Sequence, residues 1–173
     1  PGCFNVFEMS VRAVLGQQIT VKAASTLAAR LVAVYGTQVQ TGIEGLTHSF
    51  PAPAAILALG ENISEHLGKL GIISARANTI YQLARVLADE KNDFGFCGNP
   101  EEEMQKLQAI RGIGSWTAQY IAMRAMGWPD AFLPTDAGIK KALPDHTPKE
   151  LQVLSEAWRP WRSYATVNLW NTL

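Results

Sequence analysis

Two short stretches hold residues whose types and spacing could do chemistry. The first is Phe132-Leu133-Pro134-Thr135-Asp136-Ala137-Gly138-Ile139-Lys140. Pro134 disfavours helix at Leu133 and stiffens the entry, so Asp136 falls at the start of a short helix. Aspartate there is ordinarily a cap. The positive end of the helix also favours the ionised carboxylate, the form that can stabilise a neighbouring cation or orient water. The second stretch is Leu107-Gln108-Ala109-Ile110-Arg111-Gly112-Ile113-Gly114-Ser115-Trp116-Thr117-Ala118. A short helix feeds a Gly-Ile-Gly turn that opens another helix. Both glycines can take positive φ and let the backbone approach another group closely. Ile113 between them is expected to anchor the turn in the core. The free N–H groups at the new helix start form an anion site into which a phosphate would fit. A lone Gly-x-Gly also reads as a plain turn with glycine caps.

The elements that must position these stretches are helical throughout. Phe4, Phe7, Val11, Val14 and Leu15 recur at helical spacing. Thr20 caps a second helix running to Tyr35, ended by Gly36. Ser74 is expected to cap a long helix with Ile80, Leu83, Ala84 and Leu87 on one face. Asn99-Pro100 followed by Glu101, Glu102 and Glu103 marks another start: cap, first-position proline, acids on the positive end. A helix is expected from about Ser115 to Met126. Thr147-Pro148 opens one that ends near Trp158, and Pro160 opens the last. Pro51 and Pro53 precede a short apolar stretch, and the polar segment from Gly36 to Ser49 reads as loop. No stretch alternates with period two. The fold class is all-α, with roughly eight to ten helices.

Composition narrows the class further. With 173 residues, 47% of them hydrophobic, the chain can bury a sizeable core. No apolar run approaches the ~20 residues that span a bilayer, and no secretory segment opens the chain. Formal net charge is zero, but residues 1–103 carry −3 and residues 104–173 carry +3. A positive C-terminal half suits a polyanion, although ordinary surface variation gives the same imbalance. Cys3 and Cys97 are isolated, which excludes a four-cysteine zinc or iron–sulfur site within the chain and suits a reducing cytoplasm. The chain opens on Pro1 without Met and closes at Leu173 inside a helical pattern, as a piece of a longer protein would.

The string Leu-x-x-Ile-x-Gly-Ile-Gly-x-x-Thr-Ala resembles the helix-hairpin-helix of DNA repair proteins. With Pro134-x-Asp136 beyond it, the chain resembles the glycosylase superfamily named for that hairpin, a Gly/Pro-rich loop and an aspartate. Ala13-Val14-Leu15-Gly16-Gln17-Gln18, Ala157-Trp158-Arg159-Pro160-Trp161-Arg162-Ser163-Tyr164-Ala165 and Leu169-Trp170 are similar to the alkylbase branch, the 3-methyladenine DNA glycosylases II. The resemblance covers nearly the whole chain, residues 1–173, as one core, without the small β-containing N-terminal domain of the family.

The resemblance implies two helical lobes with the active site in the cleft between them. It implies Asp136 as the catalytic carboxylate and Trp116, Tyr120 and Trp170 as an aromatic pocket for the base. Trp116 and Tyr120, four apart, share a helix face. Electron-rich rings attract an alkylated, cationic purine more than its neutral parent. Gly112, Ile113, Gly114, Ser115 and Thr117, with Gln17 and Gln18, are implied at the DNA. Backbone carbonyls of Gln108, Ile110 and Ile113 are implied to hold a monovalent cation, Na+ or K+. No other cofactor and no iron–sulfur cluster are expected. Gln18 matches the position of the family's apolar wedge, which fills the gap left by a flipped base. Bifunctional relatives carry a nucleophilic lysine two residues after the second hairpin glycine. Here that position is Trp116, so water is the expected nucleophile and an abasic site the expected product. The expected partner is double-stranded DNA containing damaged bases, met by a monomer in the cytoplasm. The competing readings are a bifunctional oxidised-base glycosylase/lyase, a non-catalytic hairpin DNA-binding module and a helical protein-interaction domain.

Overall fold

A computed structural model describes residues 2–88 and 99–173; Cys97 lies outside them. Among the described residues there are ten α-helices. α1 (Val6–Leu15) starts on the Asn5 side chain, which accepts from the Glu8 N–H, and buries Phe7, Val11, Ala13, Val14 and Leu15. Phe4 is fully exposed and precedes the helix, so it takes no part in the apolar face expected for it. α2 (Val21–Tyr35) begins on the Thr20 cap as expected. It stops at Gly36, whose backbone is extended and not left-handed. Gly36 is needed for closeness: a Cβ there would sit 2.4 Å from the Val32 carbonyl and 2.5 Å from that of Ser49. The segment from Gly36 to Ser49, expected as loop, holds a minimal antiparallel pair, β1 (Thr37–Gln38) with β2 (His48–Ser49). Two residues a strand are too few to show period-two alternation.

α3 (Pro53–Leu57), α4 (Ile63–Gly68) and α5 (Ser74–Leu87) follow. Ser74 is the first residue of α5; the cap position belongs to Ile73, which offers no side-chain bond. The buried face of α5 is Ala77, Thr79, Ile80, Leu83 and Ala84. α6 (Pro100–Gln108) has the Asn99 cap, the first-position proline and the acidic first turn. α7 (Ser115–Arg124) and α8 (Ala137–Ala142) carry the two stretches of interest. α9 (Pro148–Ser155) opens with a reciprocal capping box between Thr147 and Glu150 and runs into a 3-10 turn ending at Trp158. α10 (Arg162–Trp170) starts two residues after Pro160 and ends before Leu173.

α1 packs on α2, α5 and α7, while α3 and α4 pack on α5. α6 packs on α7, and α8 on α10. With α2–α5 taken as the first lobe and α6–α10 as the second, α1 packs on helices of both, and its Val11, Val14 and Leu15 are fully buried. No helix among the described residues is long and apolar enough to cross a membrane.

Candidate active site

Asp136 is the N-cap of α8, and the residue is buried, only 8% exposed. Four N–H groups hold it. Oδ1 accepts from the Gly138 N–H (2.8 Å), the Ile139 N–H (3.1 Å) and the Trp170 indole Nε1–H (2.8 Å). Oδ2 accepts from the Trp116 indole Nε1–H (3.0 Å). Such charge-assisted bonds offset the loss of water around a buried anion. They also separate the two oxygens. Oδ1 is taken up by three donors, whereas Oδ2 has one and keeps a lone pair for another group.

The aromatic residues come together as expected, but two of them do more than line a pocket. Trp116 stacks on Tyr120 with ring centroids 5.2 Å apart and planes 15° from parallel. Tyr120 in turn lies 6.3 Å from the Trp170 ring, tilted by 41°. The faces thus form one half-buried aromatic surface, while both tryptophan edges turn to Asp136. Gly138 makes this possible. A Cβ on it would lie 2.6 Å from Trp170 Cδ1 and 3.1 Å from Asp136 Oδ1.

The irregular segment leading to Asp136 is pinned to α10 at its other end. Arg162, buried at the start of α10, donates to both oxygens of the buried Asp130, at 2.7 and 2.9 Å. Arg159 adds a bond at 2.5 Å to Asp130 and pairs with Glu156. Burial alone would raise the Asp130 carboxyl; the Arg162 and Arg159 guanidiniums together outweigh it, Arg162 most, and hold it below the usual carboxylate range. Ser163 Oγ donates towards the carbonyls of Trp128 and Ala131, and Gln119 on α7 accepts from the Phe132 N–H. Residues 128–136 are thus fixed between α7 and α10, the two helices that supply the tryptophans.

The hairpin has a different construction. Gly112 takes φ +97°, a conformation that favours glycine. A Cβ there would sit 2.1 Å from Thr79 Oγ1. Gly114 does not use that freedom: its φ is −89°, and nothing lies within 4 Å of a Cβ added to it. Its backbone is ordinary N-cap geometry, so positive φ does not explain its identity. Ile113 is buried, as expected of the turn's anchor, while Gly112, Gly114 and Ser115 are exposed. Thr117 is buried, and its Oγ1 accepts from Gln17. Gln17 spends its amide on the protein, donating to the Gly112 carbonyl and to Thr117, both at 2.9 Å. Gln18 is exposed, at φ +55° in the turn between α1 and α2.

For a monovalent cation the donor set at the hairpin is neutral carbonyl oxygen, which suits Na+ or K+. The Ile110 carbonyl accepts from the Ile113 N–H. Among the described residues no hydrogen bond is made to the carbonyls of Gln108 or Ile113, so both retain free lone pairs. No cluster of three His, Cys, Asp or Glu side chains able to hold a metal occurs among the described residues. A concavity formed by His146, Lys149, Glu150, Val153 and Leu154 shares no residue with the surroundings of Asp136.

A glycine hairpin and a buried, N–H-ringed aspartate are joined here on consecutive elements. Residues 11–162 match the model of the HhH-GPD superfamily of base excision DNA repair proteins. The chain belongs to the HhH-GPD superfamily. It is 37% identical over 172 residues to DNA-3-methyladenine glycosylase 2 of Escherichia coli, covering 99% of this chain and 59% of that protein. It is 43% identical over 178 residues to a probable bifunctional transcriptional activator/DNA repair enzyme of Mycobacterium tuberculosis, covering the whole chain and 34% of that protein. The 3-methyladenine DNA-glycosylase of Archaeoglobus fulgidus superposes with a TM-score of 0.83 at 25% identity, over 97% of this chain and 58% of the other. The chain thus spans between a third and three-fifths of the length of these curated relatives.

Within this HhH-GPD chain, sequence reasoning missed the bonds from Trp116 and Trp170 to Asp136, the Asp130–Arg162 pair and the inward turn of Gln17. Position along the chain says nothing of where an indole N–H points.

Proposed function

We propose that the chain is the catalytic core of a monofunctional DNA glycosylase that hydrolyses the N-glycosidic bond of alkylated bases, of the 3-methyladenine and 7-methylguanine type, in double-stranded DNA. The observation that carries this reading is the Asp136 carboxylate, held by four N–H donors of which only one is on Oδ2, beside a surface of aromatic faces. The damaged nucleotide is flipped from the stack and Gln18 fills the gap. The bond between C1′ and the base nitrogen breaks with its electron pair leaving on the base, and positive charge develops on the sugar. An ionised Oδ2 stabilises that charge and orients the water whose oxygen bonds to C1′; the water's proton passes to the carboxylate or to solvent. An alkylated purine leaves as a neutral base, which makes the bond labile.

The open N-terminus of α7 receives a DNA phosphate. A monovalent cation on the carbonyls of Gln108, Ile110 and Ile113 would add positive charge opposite that phosphate. Trp116 replaces the lyase lysine, and Lys140 and Lys141 are exposed in the last turn of α8, so no Schiff base forms. The protein acts as a monomer in the cytoplasm. The test is base release from methylated duplex DNA, with products identified by mass and borohydride added to an abasic-site duplex. Release of methylated purines with no trapped adduct is expected. A covalent adduct favours the lyase, and binding without release favours a non-catalytic module.

A further inference from the structure

We infer that Gln17 is a positioning residue that couples the turn bearing Gln18 to the hairpin, so that the phosphate anchor sets where the gap-filling side chain enters the duplex. The inference rests on the glycosylase reading above. Both amide protons of Gln17 are committed across the two lobes, to the Gly112 carbonyl 95 residues away and to Thr117 Oγ1 100 residues away. Its own carbonyl accepts from Arg76 on α5. One turn along α5, Thr79 Oγ1 shares its proton between the Arg111 carbonyl and the Ala75 carbonyl of its own helix, each at 3.0 Å, and lies directly beneath Gly112. The contacts close a ring: the α1–α2 turn to the hairpin, the hairpin to α5, and α5 back to the α1–α2 turn.

Gln18 is exposed and projects from the α1–α2 joint of this ring. Its φ of +55° is uncommon for a side chain other than glycine. Such a conformation persists where its neighbours over-determine it, and here the neighbour is Gln17, held at both side chain and carbonyl. A glutamate could not substitute, because an ionised carboxylate has no N–H for the Gly112 carbonyl. Geometry matters because a misplacement of about 1 Å can be costly to a reaction that depends on positioning.

The test compares Gln17→Met, Gln18→Ala and the double variant in the full chain. Two readouts are taken: the fluorescence of 2-aminopurine beside a tetrahydrofuran abasic analogue in duplex DNA, which reports unstacking without chemistry, and the ratio of kcat/KM for 7-methylguanine release from duplex over single strand. Gln17→Met should lower that ratio by about tenfold, as expected for two lost hydrogen bonds. In the Gln18→Ala background the same change should move it by less than about twofold, since no wedge remains to be placed. Thr117→Val, which removes one acceptor, should give a smaller loss of the same sign, and Thr117→Ser should restore it. Equal losses on both substrates, or full additivity with Gln18→Ala, would overturn the coupling. If the wild type releases no base at all, the glycosylase reading fails and the fluorescence decides the coupling. A Gln18-dependent loss of signal in Gln17→Met supports it, and an undiminished signal refutes it.

Discussion

α7 and α8 begin on the same device and use it in opposite ways. Each starts at an extended residue whose helix presents unpaired N–H groups and a partial positive charge. At α8 the cap is Asp136, and the protein's own carboxylate fills the site. At α7 the cap is Gly114, which has no side chain to offer, and the site stays open to an anion from outside. The surroundings match this division. Asp136 is enclosed by indoles from α7 and α10, while the hairpin is braced from beneath by Thr79 and Gln17 and left bare above. The same local physics thus gives a terminus filled by the protein's own anion at one end and a terminus left without a side-chain cap at the other, which the proposed function assigns to chemistry and to DNA.

Filling the uncapped terminus would erase the difference. Gly114→Asp meets no steric obstacle and has cap-compatible backbone. Its carboxylate should cap α7 and leave thermal stability equal or higher by about 0.5–1 kcal/mol. DNA affinity should fall at least tenfold, roughly, because two negative charges would meet at one site. Unchanged affinity in a titration of labelled duplex would remove α7 from the interface. Gly112→Ala tests the brace. Strain at φ +97° and the Thr79 contact should together cost about 2–4 kcal/mol in denaturant unfolding. Adding Thr79→Ala should relieve the contact and leave the strain.

At the filled end, Gly138→Ala should push the Trp170 indole off Asp136 and slow base release by about tenfold, the effect of one charge-assisted bond. Turnover equal to wild type would show that the bond is dispensable. Trp170 itself separates two roles. Trp170→Phe keeps a ring and loses the N–H, so cationic and neutral bases should be affected alike. Trp170→Leu also loses the ring face, and cationic bases should fall a further two- to thirtyfold, roughly, relative to hypoxanthine. Equal behaviour of the two variants would leave the faces with shape alone.

The smallest expected effect concerns the pin behind the site. The Asp130 carboxyl is held below its ordinary value by Arg162 despite burial. A depressed carboxyl contributes stability that is present above its unfolded pKa, near 4, and is lost as pH falls through its lower folded value. Arg162→Met should weaken that acid-side loss in a plot of unfolding free energy against pH, besides lowering stability at neutrality. Parallel curves for the variant and wild type would exclude the pair as the source.

What the sequence made legible was local. Caps at Thr20, Asn99, Thr147 and Asp136, and helix ends at Gly36 and Trp158, depend on residues within a turn of one another, and they stand in the structure. The displaced start of α5, with Ile73 and not Ser74 at the cap, depends on packing that local preference does not report. The long-range bonds were not legible. Asp130 and Arg162 are 32 residues apart, and Gln17 and Thr117 are 100 apart. Adjacent glutamines carry no local sign of which turns inward; only the fold decides that Gln17 braces and Gln18 projects. The shared helix face of Trp116 and Tyr120 followed from their spacing, but the rotation that aims the Trp116 N–H at Asp136 did not.

The central claim is that the anion filling the α8 terminus performs the chemistry and does not merely cap a helix. Asp136→Asn keeps the size and most of the cap but removes the charge. Single-turnover release of 7-methylguanine from duplex DNA should fall by about a hundredfold or more, with DNA affinity unchanged or tighter. Release within tenfold of wild type would mean that Asp136 is structural and that the bond is broken by another group.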